Sequence, residues 1–304
     1  MFTLRQMTYF DALARTGHFR RAAEAVHISQ PALSNQIAEM ERRAGGPLAE
    51  RNRNGIVLTD LGLRLLPVMR QVLETASRME DMAAGADGLL SSRLRIGMIP
   101  TIAPYLLPAT LASLAQRYPG LDVKVREAMT EQLLGDLRDG TLDAIIAAEP
   151  LEDPSLLSVS LFEDPFYIVA AVNTRDVIAS PITQQTVDLD RLLLLDEGHC
   201  LRDQALDVCA SAGPRRLVNF GATSMTTLLQ LVAAGMGITL VPKMLLSTPG
   251  ILPDGLSVMR FADPMPVRRV TLIYRLSTSR AADFRELAAT IAETGRTMLG
   301  RTDF

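Results

Sequence analysis

From Arg93 to the C-terminus, short apolar runs of strand character alternate with stretches of helical period, and that alternation admits only a narrow set of folds. LRIGMI (94–99), DVKVREA (122–128), LDAIIAA (142–148), FYIVAAV (166–172), ITLVP (238–242) and RRVTLIYR (268–275) read as strands. YLLPATLASLAQRYPG, EQLLGDLRDG, CLRDQALDVCASAG, MTTLLQLVAAGMG and AADFRELAATIAETGRTML read as the helices between and after them, and DRLLLLD leads into a further strand. The order predicts α/β architecture. The last strand and last helix are expected to return to the first subdomain, giving lobe I (93–163 plus 267–304) and lobe II (164–266) with a cleft between them. In such folds the cleft lies at the carboxyl ends of the strands.

The first 60 residues follow another regime. Helical patterns run over Leu4–Arg15, Phe19–Val26 and Ser29-Gln30-Pro31 through to Gly45; Ser29 is placed as an N-cap, and Pro31 fits the first turn because its missing N–H has no partner there. Two helices joined by His27-Ile28-Ser29 make a helix-turn-helix, whose second helix presents its N-terminal residues to base edges in the major groove. Gln30, Ser34 and Asn35 carry suitable donors and acceptors at that end. PLAERNRNGIVLTDLG then predicts a hairpin wing turning at Asn54-Gly55, with Arg51 and Arg53 placed for phosphate or minor-groove contact. Charge agrees: Met1–Leu58 holds eight Arg, no Lys and five Asp or Glu, a net +3 within a chain of net −3, so the head is basic and the body acidic. A three-helix module that packs on protein is the alternative.

FRRAAEAVHISQPALSNQIAEMERRAG followed by LAERNRNGIVLTDLG resembles the winged helix-turn-helix of LysR-type regulators, the match covering residues 1–65 and departing at Ala49, where the family has a large apolar residue. The resemblance implies that Gln30, Pro31 and Ser34 sit at the DNA, with Arg20 and the wing arginines near its backbone. Leu61–Met82 reads as one long helix with a wide apolar stripe and Pro67 marking a kink or a late start. It either packs on its own domain or pairs with a twin, as in LysR-type regulators. Ala83–Ser92 is small and Gly-rich, as a hinge would be. The domains expected are therefore 1–60, an all-α winged helix-turn-helix head; 61–92, linker helix and hinge; and 93–304, an effector domain that resembles the two-lobed periplasmic-binding-protein fold.

The chain has two cysteines, Cys200 and Cys209, nine positions apart. The run LDEGHCLRDQA around the first, with GMIPTIAPYLLP, EAMTEQLLGDL and ATSMTTLLQLVAAGMGITLVP, resembles the peroxide-sensing members of the LysR family over nearly the whole chain. That resemblance implies that Cys200 is the peroxidatic thiol and Cys209 its resolving partner, and that Thr101, Thr130, Gly198, His199 and Arg268 line a peroxide pocket, with Arg269 the competing register. Peroxide reacts with thiolate; a helix start at Cys200, His199 beside it and Arg202 within reach would each favour the anion. On an intact helix, nine residues separate the two Cα atoms by ~13 Å, beyond the ~7 Å limit for a disulfide, so disulfide formation requires unwinding and a remodelling of 200–220.

The rival readings are a LysR regulator that binds a small metabolite with redox-silent cysteines, a thiol peroxidase (disfavoured by the DNA-reading head and the lack of a CxxC pair), and a metal sensor using His199, Cys200 and Cys209, one ligand short for zinc. Neither cofactor nor metal is expected. The partners expected are double-stranded promoter DNA, hydrogen peroxide, further copies of the chain as a dimer of dimers, and RNA polymerase. The N-terminus lacks the pattern of a signal peptide and the apolar runs are too short to cross a bilayer, so the expected location is the cytoplasm, where thiols stay reduced.

Overall fold

The computed structural model describes residues 1–52, 55–83, 89–91, 93–148, 153–172, 174, 176–177, 180–183, 191–209 and 221–300. It divides into two compact units, Met1–Gly88 with Ser277–Ser279, and Leu89–Leu276 with Arg280–Phe304.

In the first unit, α1 (Leu4–Thr16) is started by a capping box in which Thr3 and Gln6 bond each other's backbone amides, and stopped by Gly17 at φ 69°. Helix α2 (Phe19–Ala25) is joined by a tight turn to α3 (Gln30–Ala44), where Ser29 Oγ accepts from Ala32 N at 3.3 Å, Pro31 occupies the first turn and Gly45 ends the helix at φ 78°. Ala22 and Ala23 are buried, so α2 lies close against α1 and α3 over Phe10, Leu13, Leu33, Ile37 and Met40. Strands β1 (Ala49–Asn52) and β2 (Gly55–Leu58) pair antiparallel with Asn52 opposite Gly55. This corrects the expected Asn54-Gly55 turn: Gly55 belongs to the returning strand, and 53–54 lie outside the described residues. Ile56 N bonds Gly17 O at 2.8 Å, tying the wing to the end of α1.

Helix α4 runs Asp60–Ala83, so Pro67 stands inside it and does not mark its start. Leu66 and Met69 enter the head core, and Arg70 Nε donates to Asp11 Oδ1 at 2.7 Å. Leu63, Val68, Val72 and Met79 remain exposed on the same helix. The expected hinge falls largely on 84–88 and 92, outside the described residues.

The second unit is a mixed sheet with helices packed on it. Its elements are β3 (Leu94–Met98), α5 (Ala103–Arg117), β4 (Val123–Glu127), α6 (Thr130–Arg138), β5 (Ala144–Ala148), β6 (Leu156–Ala171), β7 (Leu194–Leu195), α7 (Cys200–Cys209), β8 (Gly221–Ala222), α8 (Met225–Ala233), β9 (Ile238–Pro242), α9 (Lys243–Leu246), β10 (Leu256–Arg260), β11 (Val267–Arg275) and α10 (Ala281–Leu299). The strand order is β10-β6-β11-β5-β3-β4, with β9 also on β6. β3 pairs parallel with β4 and β5, as expected of βαβ units, whereas β11 is antiparallel to both β5 and β6. The long strand β6 changes partners midway: up to Pro165 it faces β11, and from Phe166 onward it runs between β9 and β10. One strand thus serves two sheet regions, and the change falls at Asp164-Pro165, where proline removes a backbone donor. No helix among the described residues is long and apolar enough to cross a membrane.

Helix α10 closes over the sheet through Phe284, Leu287 and Ile291, and at Gly295 it approaches so near that a Cβ would lie 2.1 Å from the Phe162 ring. Gly135 on α6 has open space at the same position. The same substitution should therefore act with opposite sign at the two sites. Gly135→Ala should stabilise by about 1 kcal/mol through helix propensity. Gly295→Ala should destabilise by about 1–3 kcal/mol, because the ring and helix must part. Urea unfolding of the two variants checks both.

Candidate functional site

Cys200 is the first residue of α7, and the turn that presents it is fixed from several sides. Parallel pairing of β7 with β8 is extended by Asp196 N donating to Ala222 O at 3.0 Å, and Gly198 then takes φ 92°, a conformation L side chains rarely adopt. Arg202 Nη1 donates to Leu195 O at 2.9 Å, bracing the turn from within the helix. Cys200 is a free, half-buried thiol, and its Sγ lies 3.4 Å from Thr130 Oγ1 at the first position of α6. A neutral hydroxyl beside sulfur can donate to it or accept from it, and can equally serve a small oxygen-bearing ligand.

His199 is 3% exposed, and its Nε2 is buried with no hydrogen-bond partner among the described residues. Burial holds its imidazole below the ordinary histidine pKa, against a hydrogen bond to the Thr223 backbone and the charge of Asp196. Burial thus favours the neutral ring. What the ring offers at this helix start is a buried polar nitrogen. Arg202, likewise, is a brace of the turn through the Leu195 carbonyl.

The same unit holds a fully buried ionic cluster. Arg268 on β11 is the register partner of Asp164 on β6, and both side chains are 0% exposed. Arg268 Nε and Nη2 donate to Asp164 Oδ2 at 3.1 and 2.9 Å; Nη1 donates to Thr101 Oγ1 and Nη2 to Thr101 O, both at 3.1 Å. Asp164 Oδ1 accepts from Met244 N at 2.9 Å. Burial pushes the Asp164 carboxyl above its usual range, opposed chiefly by Arg268. Of the two adjacent arginines it is Arg268 that is buried, and Arg269 is exposed. Tyr105 on α5 is buried too; desolvation pushes its phenol up to about 12, against the pull of Arg268 and with the push of Glu127, so it stays protonated.

The structure thus brings Thr130 to Cys200, and Thr101 to Arg268. Both threonines follow the carboxyl ends of the neighbouring parallel strands β4 and β3. Cys209 ends α7, nine residues from Cys200; its side chain, and residues 210–220, lie outside the described residues. Asp164 and Tyr105 were not singled out from sequence. The signal for Asp164 was an acid directly before Pro165 and the apolar run FYIVAA, where burial demands a cation. Among the described residues no group of three or more His, Cys, Asp or Glu could hold a metal ion.

On the head, Gln30, Pro31 and Asn35 are exposed and Ser34 is half-buried at the start of α3, whose amide-rich N-terminus is open. Arg20 is exposed and paired with Glu24 at 3.1 Å, a contact screened by water and exchangeable for a phosphate. The Arg51 side chain and Arg53 lie outside the described residues.

The family "Bacterial regulatory helix-turn-helix protein, lysR family" matches residues 4–63, and "LysR substrate binding domain" matches 87–296. A Mycobacterium avium protein described as a probable hydrogen peroxide-inducible genes activator is 40% identical over 297 residues, 96% of this chain and 94% of its own. A full-length OxyR from Pseudomonas aeruginosa, carrying a cysteine-to-aspartate substitution, superposes with a TM-score of 0.78 at 32% identity, covering 96% of this chain and 95% of that one. A cysteine-to-serine mutant of Corynebacterium glutamicum OxyR with hydrogen peroxide bound superposes with a TM-score of 0.67 at 35% identity, covering 98% and 96%. With both LysR domains matched in order and relatives aligned over nearly the full length, the chain belongs to the LysR family of helix-turn-helix regulators and, within it, to the OxyR group.

Proposed function

We propose that the chain is a DNA-binding transcription regulator that senses hydrogen peroxide through Cys200. The observation that carries this reading is a free thiol at the start of a helix with a hydroxyl at 3.4 Å, next to a buried imidazole nitrogen that lacks a partner among the described residues. Peroxide fits the site chemically, being small, neutral, and both donor and acceptor. Thr101, Thr130, His199 and Arg268, with Gly198 shaping the turn, are its proposed pocket. The Cys200 thiolate attacks one peroxide oxygen; the S–O bond forms as the O–O bond breaks, sulfur gives up two electrons, and the departing hydroxide takes up a proton to leave as water. The Cys209 thiol then displaces the sulfenic hydroxyl, as water, and the two sulfurs are joined.

Cys200→Ser should abolish peroxide-dependent change in DNA binding. Cys209→Ser should still form a sulfenic acid that a dimedone probe labels, with no intramolecular disulfide. Non-reducing mass spectrometry with and without peroxide checks both, and a Cys200 left unmodified in the wild type overturns the reading in favour of a metabolite-responsive regulator.

The second step conflicts with α7. A helix of this span holds the two Cα atoms ~13 Å apart, and a disulfide allows ~7 Å. Amides within 201–209 should therefore lose hydrogen-exchange protection in the oxidised protein. Oxidised protein with α7 protection unchanged defeats this coupling.

The same reading assigns the head to promoter DNA, in the cytoplasm, with Gln30, Ser34 and Asn35 reading bases, Pro31 shaping the helix start, and Arg20, Arg51 and Arg53 on phosphates. The exposed Leu63, Val68, Val72 and Met79 of α4 support pairing with a second copy, which two half-sites require, and RNA polymerase is the further partner of promoter-bound copies. Gln30→Ala should cost about 1–3 kcal/mol on a cognate site and relax base preference. Arg20→Ala should weaken binding on all sequences and reduce the salt slope by about 1. Fluorescence anisotropy titrations on cognate and scrambled duplexes at several salt concentrations separate the two roles.

A further inference from the structure

The pocket residues assigned above leave one group unused. Asp164 is fully buried, bonds neither Cys200 nor Thr130, and yet ties β6 to two other segments, β11 and the start of α9. Its Oδ2 takes two donors of Arg268, and its Oδ1 takes the amide of Met244 at the start of α9. With that edge of the guanidinium fixed, Nη1 and Nη2 each bond Thr101: one on the hydroxyl oxygen, the other on the carbonyl of the same residue.

This arrangement fixes a proton. A hydroxyl that accepts from a guanidinium has its own hydrogen directed elsewhere, so Thr101 is held in place as a donor. Because its carbonyl is fastened by the same arginine, the residue can neither rotate its hydroxyl away nor shift its backbone without breaking a charge-assisted bond in a dry site. A buried guanidinium without its carboxylate would move toward water or other acceptors. The orientation of Thr101 therefore depends on a residue two contacts away.

We infer that Asp164 is a positioning residue for the oxidation of Cys200: it holds Arg268 so that Arg268 holds Thr101 as a hydrogen-bond donor toward the oxidant, from the strand position where β6 passes between its two sets of partners. The inference rests on the peroxide reading of the site. It names a residue that touches neither sulfur nor peroxide, and it makes Arg268 a clamp with four of its N–H bonds directed to Asp164 and Thr101.

The test compares two reactions of one thiol. Hydrogen peroxide needs oriented donors for its departing oxygen, whereas iodoacetamide needs only an accessible sulfur. In the full-length protein, Asp164→Asn should slow oxidation of Cys200 by peroxide at least tenfold while its alkylation rate stays within about twofold, a split that a general loss of structure would not give. Thr101→Val should show the same split. In the Thr101→Val background Asp164→Asn should add no further slowing, because the carboxylate acts through that hydroxyl. Should Asp164→Asn fail to fold, the double variant Asp164→Asn/Arg268→Gln, which removes both buried charges together, should fold and oxidise as slowly as Thr101→Val.

A peroxide rate unchanged in Asp164→Asn, equal slowing of both reagents, slowing that multiplies with that of Thr101→Val, or a double variant as fast as wild type each overturns the inference. A wild-type Cys200 inert to peroxide is a different outcome and sinks the sensing reading itself.

Discussion

A guanidinium and a carboxylate removed from water sit where one strand passes between two sets of partners, and the geometry of the site hangs on that pair. Arg268 and Asp164 face each other across β11 and β6, at the residue before the proline where β6 turns from β11 to β9 and β10. Each ion brought inside loses hydration worth several kcal/mol, and only near-complete hydrogen bonding offsets that. The structure supplies it through Thr101 on one side and the Met244 amide on the other. Removing either charge alone would destabilise by about 3–5 kcal/mol. The pair fixes how the loop after β3, which carries Thr101, and the start of α9 stand relative to the strand that joins them.

The polar groups about the start of α7 are an imidazole, a guanidinium and a hydroxyl. His199 is kept uncharged by its burial, Arg202 is bonded to a carbonyl in the turn, and Thr130 presents a hydroxyl. The charge on Arg268 is balanced on the spot by Asp164, and the same guanidinium bonds Thr101.

Much of this was legible in the sequence, and the misses have identifiable causes. Gly17, Gly45 and Ser29-Gln30-Pro31 mark helix ends by local backbone chemistry, so the head could be read almost residue by residue. The alternation of strand and helix gave the α/β body, because each element signals its own period. What periodicity does not carry is pairing between distant segments. That β6 serves two sheet regions, that β11 lies antiparallel between β5 and β6, and that Asp164 faces Arg268 are all long-range facts. The choice between Arg268 and Arg269 is of the same kind: alternate residues of a strand face opposite ways, and only the register tells which side is the interior. Gly55 was placed in the turn by its dipeptide signal, whereas the pairing of Asn52 with Gly55 moves it into the strand. The burial of the His199 ring is another fact that its adjacency to Cys200 does not reveal.

A well-packed site must also be able to switch, and the packing of α7 allows it. Leu201, Gln204 and Ala205 are buried, while Leu206 and Val208 are only half-buried and Asp207 is exposed. The half of the helix next to Cys200 is thus anchored in the core, and the half leading to Cys209 holds on by less apolar surface. A helix this short is marginal without such contacts, so the end that carries Cys209 gives way at lower cost than the end that carries Cys200. The reduced protein can therefore keep its reactive thiol in a fixed pocket and still yield the partner that must travel, and the covalent bond itself supplies the free energy for the helix that is lost.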